Sequence, residues 1–100
     1  MAVTSKALAR IAAATSSTTL YTVPSSTTAI VTNILVANTA ASAATFTITL
    51  DGVEIFKDAA IAANTTASFD LKQTLATTKI IAGLASATTV KFHISGVEVA

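Results

Sequence analysis

The chain has 100 residues and a net charge of +1, a size that fits a single domain. Only 11% of its residues are charged, well below the roughly 25% that is usual for soluble domains. Its six basic residues are scattered and it contains no cysteine, so the sequence predicts no nucleic-acid partner and excludes disulfides and thiolate chemistry. No stretch approaches the roughly 18 consecutive apolar residues of a membrane span, so we expect no membrane partner either.

A surface with so few charges predicts that other proteins, including copies of this chain, cover much of it. A core of this size also gives only modest stability by itself, and oligomerisation is one way to increase it. The absence of cysteine fits a protein made in a reducing cytosol. We therefore expect a homo-oligomer.

Residues 1–17 are predicted to form an extended N-terminal arm, and residues 18–100 a single domain. Lys6 and Arg10 are the charged residues of the arm, and no acidic residue accompanies them. We expect the arm to lie over a neighbouring protein, where Lys6 and Arg10 would pair with acidic groups.

Beyond the arm, Thr, Val and Ile dominate, and β-branched side chains favour strands over helices. Residues 20–23 predict a short strand that ends at Pro24. Residues 28–37 carry large apolar side chains on both faces of a predicted strand, which is typical of a strand covered on both sides. Val31 and Leu35 share one of these faces, and we expect them to form a contact between copies of the chain.

The clearest local signal is a β-hairpin in the middle of the chain. Residues 45–50 alternate between threonine and large apolar side chains, which indicates a half-buried strand. Asp51 and Gly52 follow directly and form the pair that a type I′ turn favours, because both central residues of that turn need positive φ. This register places Leu50 opposite Val53, so Ile48 and Ile55 are expected to lie on the same face.

Three further segments are predicted to form strands, and two of them, residues 68–72 and 90–94, alternate in the same way. In residues 68–72, Phe69 and Leu71 are predicted to point inward, and strands are also predicted at 80–85 and 90–94. Gly96 is expected to interrupt the last segment. With seven or eight short strands and turn signals every eight to twelve residues, the sequence predicts an all-β antiparallel sandwich, either jelly-roll-like or immunoglobulin-like.

The sequence offers little for catalysis. His93 is the one histidine, and it shares the outward face of a strand with Ser95. Asp70 or Glu98 could complete a catalytic triad, but alternation separates His93 and Ser95 by about 7 Å along the strand. We therefore expect an exposed strand histidine, no catalytic residue and no enzymatic activity.

Metal and cofactor sites are not expected either. Asp51, Glu54 and Asp58 lie close in sequence, but their spacing matches no calcium-binding loop. The chain has no glycine-rich phosphate loop and no cluster of cysteine and histidine. A single tyrosine and the absence of tryptophan disfavour a carbohydrate-stacking platform.

Several segments, taken in their order along the chain, resemble small virion structural proteins of tailed bacteriophages. The resemblance covers residues 15–100, and its first segment contains the sequence TLYTVP. The segments that carry it are 18–24, 28–34, 38–39, 46–50, the turn 51–52, 63–66, 71–73 and 93–99.

This resemblance implies a compact β-sandwich incorporated into the virion. The specific expectation is a capsid cement or decoration protein that binds the major capsid protein as an oligomer, a trimer at three-fold or quasi-three-fold sites. A tail, collar or baseplate component is the alternative within the virion. Outside it, a carbohydrate-binding or adhesion module and a cellular scaffold domain stay open.

Overall fold

The computed structural model describes residues 2–100, which form eight β-strands and no helix. The strands are β1 (Val3–Ala12), β2 (Thr18–Thr22), β3 (Thr28–Asn38), β4 (Ala44–Leu50), β5 (Val53–Ile61), β6 (Thr65–Leu75), β7 (Ile80–Ala85) and β8 (Val90–Val99). The prediction of an all-β chain is confirmed.

The strands form two four-stranded sheets in which all neighbours are antiparallel. The strand order is β1-β8-β3-β6 in the first sheet, called sheet A, and β2-β7-β4-β5 in the second, called sheet B. Buried side chains from both sheets form one hydrophobic cluster. The arrangement is therefore β-sandwich-like, with two sheets that face each other across a shared core.

All four phenylalanines of the chain meet in this core. Phe46 of sheet B lies with its ring centroid 6.3 Å from those of both Phe69 and Phe92 in sheet A. Phe56 of sheet B stacks closer to Phe69, at 4.6 Å. Because tilted aromatic pairs add about 0.5–1.5 kcal/mol to the burial of the rings themselves, this cluster is a major source of cohesion between the sheets.

The predicted hairpin is confirmed at its turn, but the predicted register is wrong beyond Thr49, because a register shift there pairs Ile48 with Phe56 and not with Ile55. Leu50 pairs with Val53 across the turn between β4 and β5. Asp51 and Gly52 both have positive φ, at 54° and 77°, as a type I′ turn requires.

The predicted N-terminal arm is wrong for residues 3–12, because they form β1. This strand pairs with β8 from Val3 opposite Val99 to Ala12 opposite Lys91. Leu8 is 7% exposed and packs into the core. The pairing satisfies the backbone groups of β8 that would otherwise lie at the edge of sheet A, and for this reason the segment belongs to the domain.

The placement of Val31 at a contact between copies is also wrong. Val31 is fully buried in the core, whereas Leu35 is half-buried on the opposite side of β3. The cause is a β-bulge at Thr32, where the pairing register shifts between Val31 and Asn33. One extra residue reverses the alternation, so the two side chains that a regular strand would place on one face lie on opposite faces.

Strand β8 continues through Gly96 to Val99, so the predicted interruption at Gly96 is wrong. A side chain at this position would have its Cβ 2.3 Å from the carbonyl oxygen of Ile30 and 2.9 Å from Cδ1 of Leu8. The register of both neighbouring strands shifts at this level, at Leu8 in β1 and at Thr32 in β3. Glycine is therefore needed for close packing and does not end the strand.

Candidate interaction surface

The side chains of sheet A that point away from sheet B form a broad surface, here called the outer face. It is defined by alternation along the four strands and by the pairing between them. Its central residues are Arg10, His93, Leu35 and Ser68, and its apolar end contains Val3, Val97, Val99 and Ile30.

A row across the middle of the outer face contains three of the residues singled out from the sequence. Arg10 of β1 pairs with His93 of β8, and His93 pairs with Leu35 of β3. Ser68 of β6 lies opposite Leu35 and completes the row. The structure thus places Arg10 and Leu35 on either side of His93, whereas the sequence assigned them to different parts of the molecule.

The row carries positive charge that the rest of the described chain leaves unpaired. Arg10 and His93 are exposed, and within residues 2–100 no carboxylate lies within salt-bridge distance of Arg10. Leu35 adds a half-buried apolar side chain beside them. A partner with an acidic group next to an apolar one would complement this row.

The apolar end of the outer face lies near the two termini of the described chain. Val3 pairs with Val99, and Val97 pairs with Ile30. Val3 is 67% exposed, while the other three side chains are half-buried. Together they form a small apolar patch without a charged residue among them.

A groove lies at the free edge of sheet A, where β3 and β6 lose their regular register. It has a volume of about 460 Å³ and is lined by Thr32, Asp70, Leu71 and Lys72. The Asn33 amide donates hydrogen bonds to Oδ1 of Asp70 at 3.0 Å and to Oγ of Ser68 at 3.2 Å. Asn33 therefore holds the Asp70 carboxylate against the sheet, beside the groove.

Lys6 does not point to the outer face. Its Nζ lies 3.3 Å from Oε1 of Glu98, and the hydroxyl of Tyr21 donates a short hydrogen bond to the same carboxylate. Glu98 belongs to β8, Lys6 to β1 and Tyr21 to β2, so the network links both sheets. Within the described chain the Lys6 ammonium is thus paired with Glu98, while its side chain remains 47% exposed.

The network changes the proton affinities of two groups. Burial raises the pKa of Tyr21, and the hydrogen bond to the Glu98 carboxylate raises it further. The hydrogen bond from Tyr21 lowers the pKa of Glu98, and Lys6 contributes in the same direction. Both shifts favour a neutral phenol that donates its hydrogen bond to an ionised carboxylate.

The residues of the hypothetical catalytic triad are not assembled. His93 and Ser95 lie on the outer face, whereas Glu98 is bound to Tyr21 and Lys6, and Asp70 is bound to Asn33. No hydrogen bond among residues 2–100 joins His93 to either carboxylate.

The carboxylates considered for calcium are also dispersed. Asp51 lies 3.6 Å from Nζ of Lys79, and Asp58 lies 4.0 Å from Nζ of Lys57. In the part of the chain that the structure describes, no group of three or more His, Cys, Asp or Glu side chains could hold a metal ion.

Sequence reasoning missed the network around Glu98. Tyr21 and Glu98 are 77 positions apart, and no sequence motif links them. Only the pairing of β1 with β8 and the packing of sheet B against sheet A bring these side chains together.

Comparison with known proteins assigns the chain to no family: no family model matches it, and no curated protein is significantly similar to it. The described residues contain no helix long and apolar enough to cross a membrane.

Proposed function

We propose that the chain is a structural protein of a tailed-phage virion, a capsid cement or decoration module without enzymatic activity. In this role it resides in the virion, associates with copies of itself and binds the major capsid protein through the outer face of sheet A. Shell-stabilising proteins of this kind bury surface across junctions between capsid subunits and thereby add binding free energy to the assembled state only.

The observation that carries the proposal is the nested pairing of the eight strands. β1 pairs with β8, β2 with β7, β3 with β6 and β4 with β5, as if one long hairpin had been rolled up. This pattern supports a jelly roll and differs from the seven-stranded immunoglobulin arrangement. Jelly rolls occur in viral capsid domains and also in lectins and cupins, so the fold supports the proposal only by analogy.

The placement of the aromatic side chains favours a structural role over sugar binding. All four phenylalanines are in the core or packed against it, and the single tyrosine is bound to Glu98. No aromatic ring is therefore left to form the flat platform on which a sugar stacks. The unpaired positive charge of Arg10 and the apolar side chain of Leu35, on either side of His93, instead fit a protein partner with acidic and apolar groups.

The proposal is tested on particles of the phage that encodes the chain. Quantitative mass spectrometry of purified virions is expected to find the protein at a copy number comparable to that of the major capsid protein. A copy number set by the symmetry of the tail would assign it to the tail, collar or baseplate instead. Its absence from the particles would refute a virion role.

The contact surface is tested by adding purified protein to particles produced without it. Leu35→Asp, on the outer face, is expected to reduce co-sedimentation with these particles at least tenfold. Val53→Asp is the control in sheet B, because Val53 is likewise an apolar strand residue, there with an exposed side chain. Equal binding by the two variants would exclude the outer face as the contact.

A further inference from the structure

The four outer strands of the two sheets differ in how well they resist pairing with another strand. An unprotected edge strand presents free N–H and C=O groups that pair with any extended segment. Charged side chains, bulges and short length are the usual protections. The four edges in this fold are β1 and β6 in sheet A, and β2 and β5 in sheet B.

Three of these edges are protected. β2 has five residues and an irregular register at Leu20. β5 carries Glu54, Lys57 and Asp58, and its register against β4 shifts twice. β6 carries Asp70 and Lys72 where its pairing with β3 is irregular.

The first half of β1 lacks these protections. Residues 3–7 pair with β8 in unbroken register, and the bulge comes only at Leu8. Lys6 is the one charge in this segment, and it is bound to Glu98 of its own chain. Two of the three exposed large hydrophobic residues of the described chain, Val3 and Ile11, lie on β1.

The hydrogen bonds to β8 define which backbone groups of this segment are free. Ala2 and Ala100 exchange both of their N–H···O bonds, at 2.8 Å each. In an antiparallel ladder such pairs alternate with pairs that exchange none. Val3, Ser5 and Ala7 therefore direct their N–H and C=O groups away from β8.

We propose that this open edge pairs with the same edge of a second copy, antiparallel and centred on Ser5. In this register Ser5 lies opposite Ser5 of the second copy, and Val3 lies opposite its Ala7. The three residues with free backbone groups thus pair with the same set of three residues in the second copy and form about six backbone hydrogen bonds. Lys6 lies opposite Thr4 of the second copy, so the two lysines do not face each other.

A second copy is the occupant that the edge itself favours. The free backbone N–H and C=O groups of the segment are arranged symmetrically, because they occur at Val3, Ser5 and Ala7, equally spaced about Ser5. The pairing joins two sheets A into one continuous sheet with a two-fold axis. This inference does not depend on the proposed function, and it replaces the expected trimer with a dimer.

The first test is the mass of the purified full-length protein by light scattering at two concentrations. The wild type is expected at twice its 10.0 kDa, and Ser5→Pro at 10.0 kDa. Proline removes the free N–H of Ser5, and it is tolerated where the N–H of an edge strand faces solvent. Ser5→Thr is the matched control, which keeps the N–H and is expected to stay dimeric.

The second test keeps the proposal falsifiable if Ser5→Pro does not fold. The chain has no cysteine, so Ser5→Cys introduces a single thiol. Opposed residues in the proposed register are about 5.5 Å apart at Cα, within the range that a disulfide spans. Oxidised Ser5→Cys is expected to migrate as a covalent dimer, and Val53→Cys, on the protected β5 edge, as a monomer.

Three results would overturn the pairing. They are a monomeric wild type, a trimer whose mass Ser5→Pro leaves unchanged, and equal cross-linking of the two cysteine variants. If the wild type is monomeric and Ser5→Pro loses only its binding to phage particles, the occupant of the edge is a strand of another virion protein.

Discussion

Glu98 connects three strands at one end of the molecule. It accepts a hydrogen bond from Tyr21 of β2 and pairs with Lys6 of β1, while its own backbone pairs with Ala29 of β3. Its side chain is 14% exposed, so water screens these contacts only partly. One carboxylate thereby ties the edge strand of sheet A to sheet B.

The shifts in pKa predict how stability depends on pH. The pKa of Tyr21 is raised above its ordinary 10.0, so the stabilisation from the neutral phenol is complete below pH 10 and is lost as pH rises further. The pKa of Glu98 is lowered from its ordinary 4.5, so the stabilisation from the carboxylate is present above that pH and is lost on acidification.

Tyr21 can be titrated directly, because it is the one tyrosine and the chain has no tryptophan. Absorbance at the tyrosinate band is expected to show ionisation of the folded protein well above pH 10. Glu98→Gln removes the carboxylate and is expected to bring the midpoint closer to 10, while leaving the part that is due to burial. A wild-type midpoint equal to that of the urea-unfolded chain would contradict the network.

Gly96 is the residue whose absent side chain matters most. Gly96→Ala is expected to destabilise the fold by about 1–3 kcal/mol, because its Cβ would lie 2.3 Å from the carbonyl oxygen of Ile30. Gly83→Ala is the matched comparison, since its nearest neighbours would be at 3.1–3.3 Å and need to move less. Urea unfolding of both variants is expected to show the larger loss for Gly96→Ala, and the reverse order would contradict this packing.

At the scale of the strand, the bulge in β3 decides which side chains reach the core. Val31→Asp is expected to destabilise the protein by about 3–5 kcal/mol, because it places an unpaired charge among buried apolar groups. Leu35→Asp, four residues later, is expected to leave the monomer folded. Thermal unfolding followed by circular dichroism compares the stability of the two variants. Similar losses of stability would mean that the bulge does not place Val31 and Leu35 on opposite faces of β3.

Asn38, at the end of β3, joins three loops. Its side-chain amide donates to the carbonyl oxygens of Ser42 and Ala62 at 2.8 and 3.3 Å, and its Oδ1 accepts from the N–H of Ala40 and the hydroxyl of Thr89. The residue is 2% exposed, so water cannot replace these bonds without rearrangement.

Asn38→Ala is therefore expected to reduce the free energy of unfolding by about 1–3 kcal/mol. Asn38→Asp keeps the accepting Oδ1 but loses the donating amide. It therefore tests whether the hydrogen bonds to the carbonyl oxygens supply most of the stabilisation by this side chain. Urea denaturation measures both, and a neutral effect of Asn38→Ala would show that the loops hold without this side chain.

At the scale of the whole molecule, β1 is part of the sandwich-like body. Deleting residues 2–14 removes one of the two strands that pair with β8 and uncovers the core that Leu8, Ala9 and Ala13 help to close. We expect the truncated protein to lose cooperative thermal unfolding, as followed by circular dichroism. A truncated protein with wild-type stability would show that the segment acts as a separable arm after all.

The sequence by itself determined the local features whose signals lie within a few residues. Alternation predicted the strands that contain Phe46, Phe69 and Phe92, and the Asp51-Gly52 pair predicted the hairpin turn and the pairing of Leu50 with Val53 beside it. These signals suffice because side-chain alternation and turn geometry depend on neighbouring residues only. Among the residues singled out from the sequence, the exposed position of His93 on β8 belongs to this group.

Only the tertiary structure decided the features that depend on distant partners. A bulge is set by the pairing between strands, so the burial of Val31 could not be derived from alternation in β3. β1 reads as a weak segment because its apolar side chains do not alternate regularly with polar ones, and it becomes a strand because β8, more than 75 residues away, offers an unpaired edge. For the same reason Glu98 meets Tyr21 and Lys6 only after the chain has folded, since a contact between remote residues leaves no local pattern.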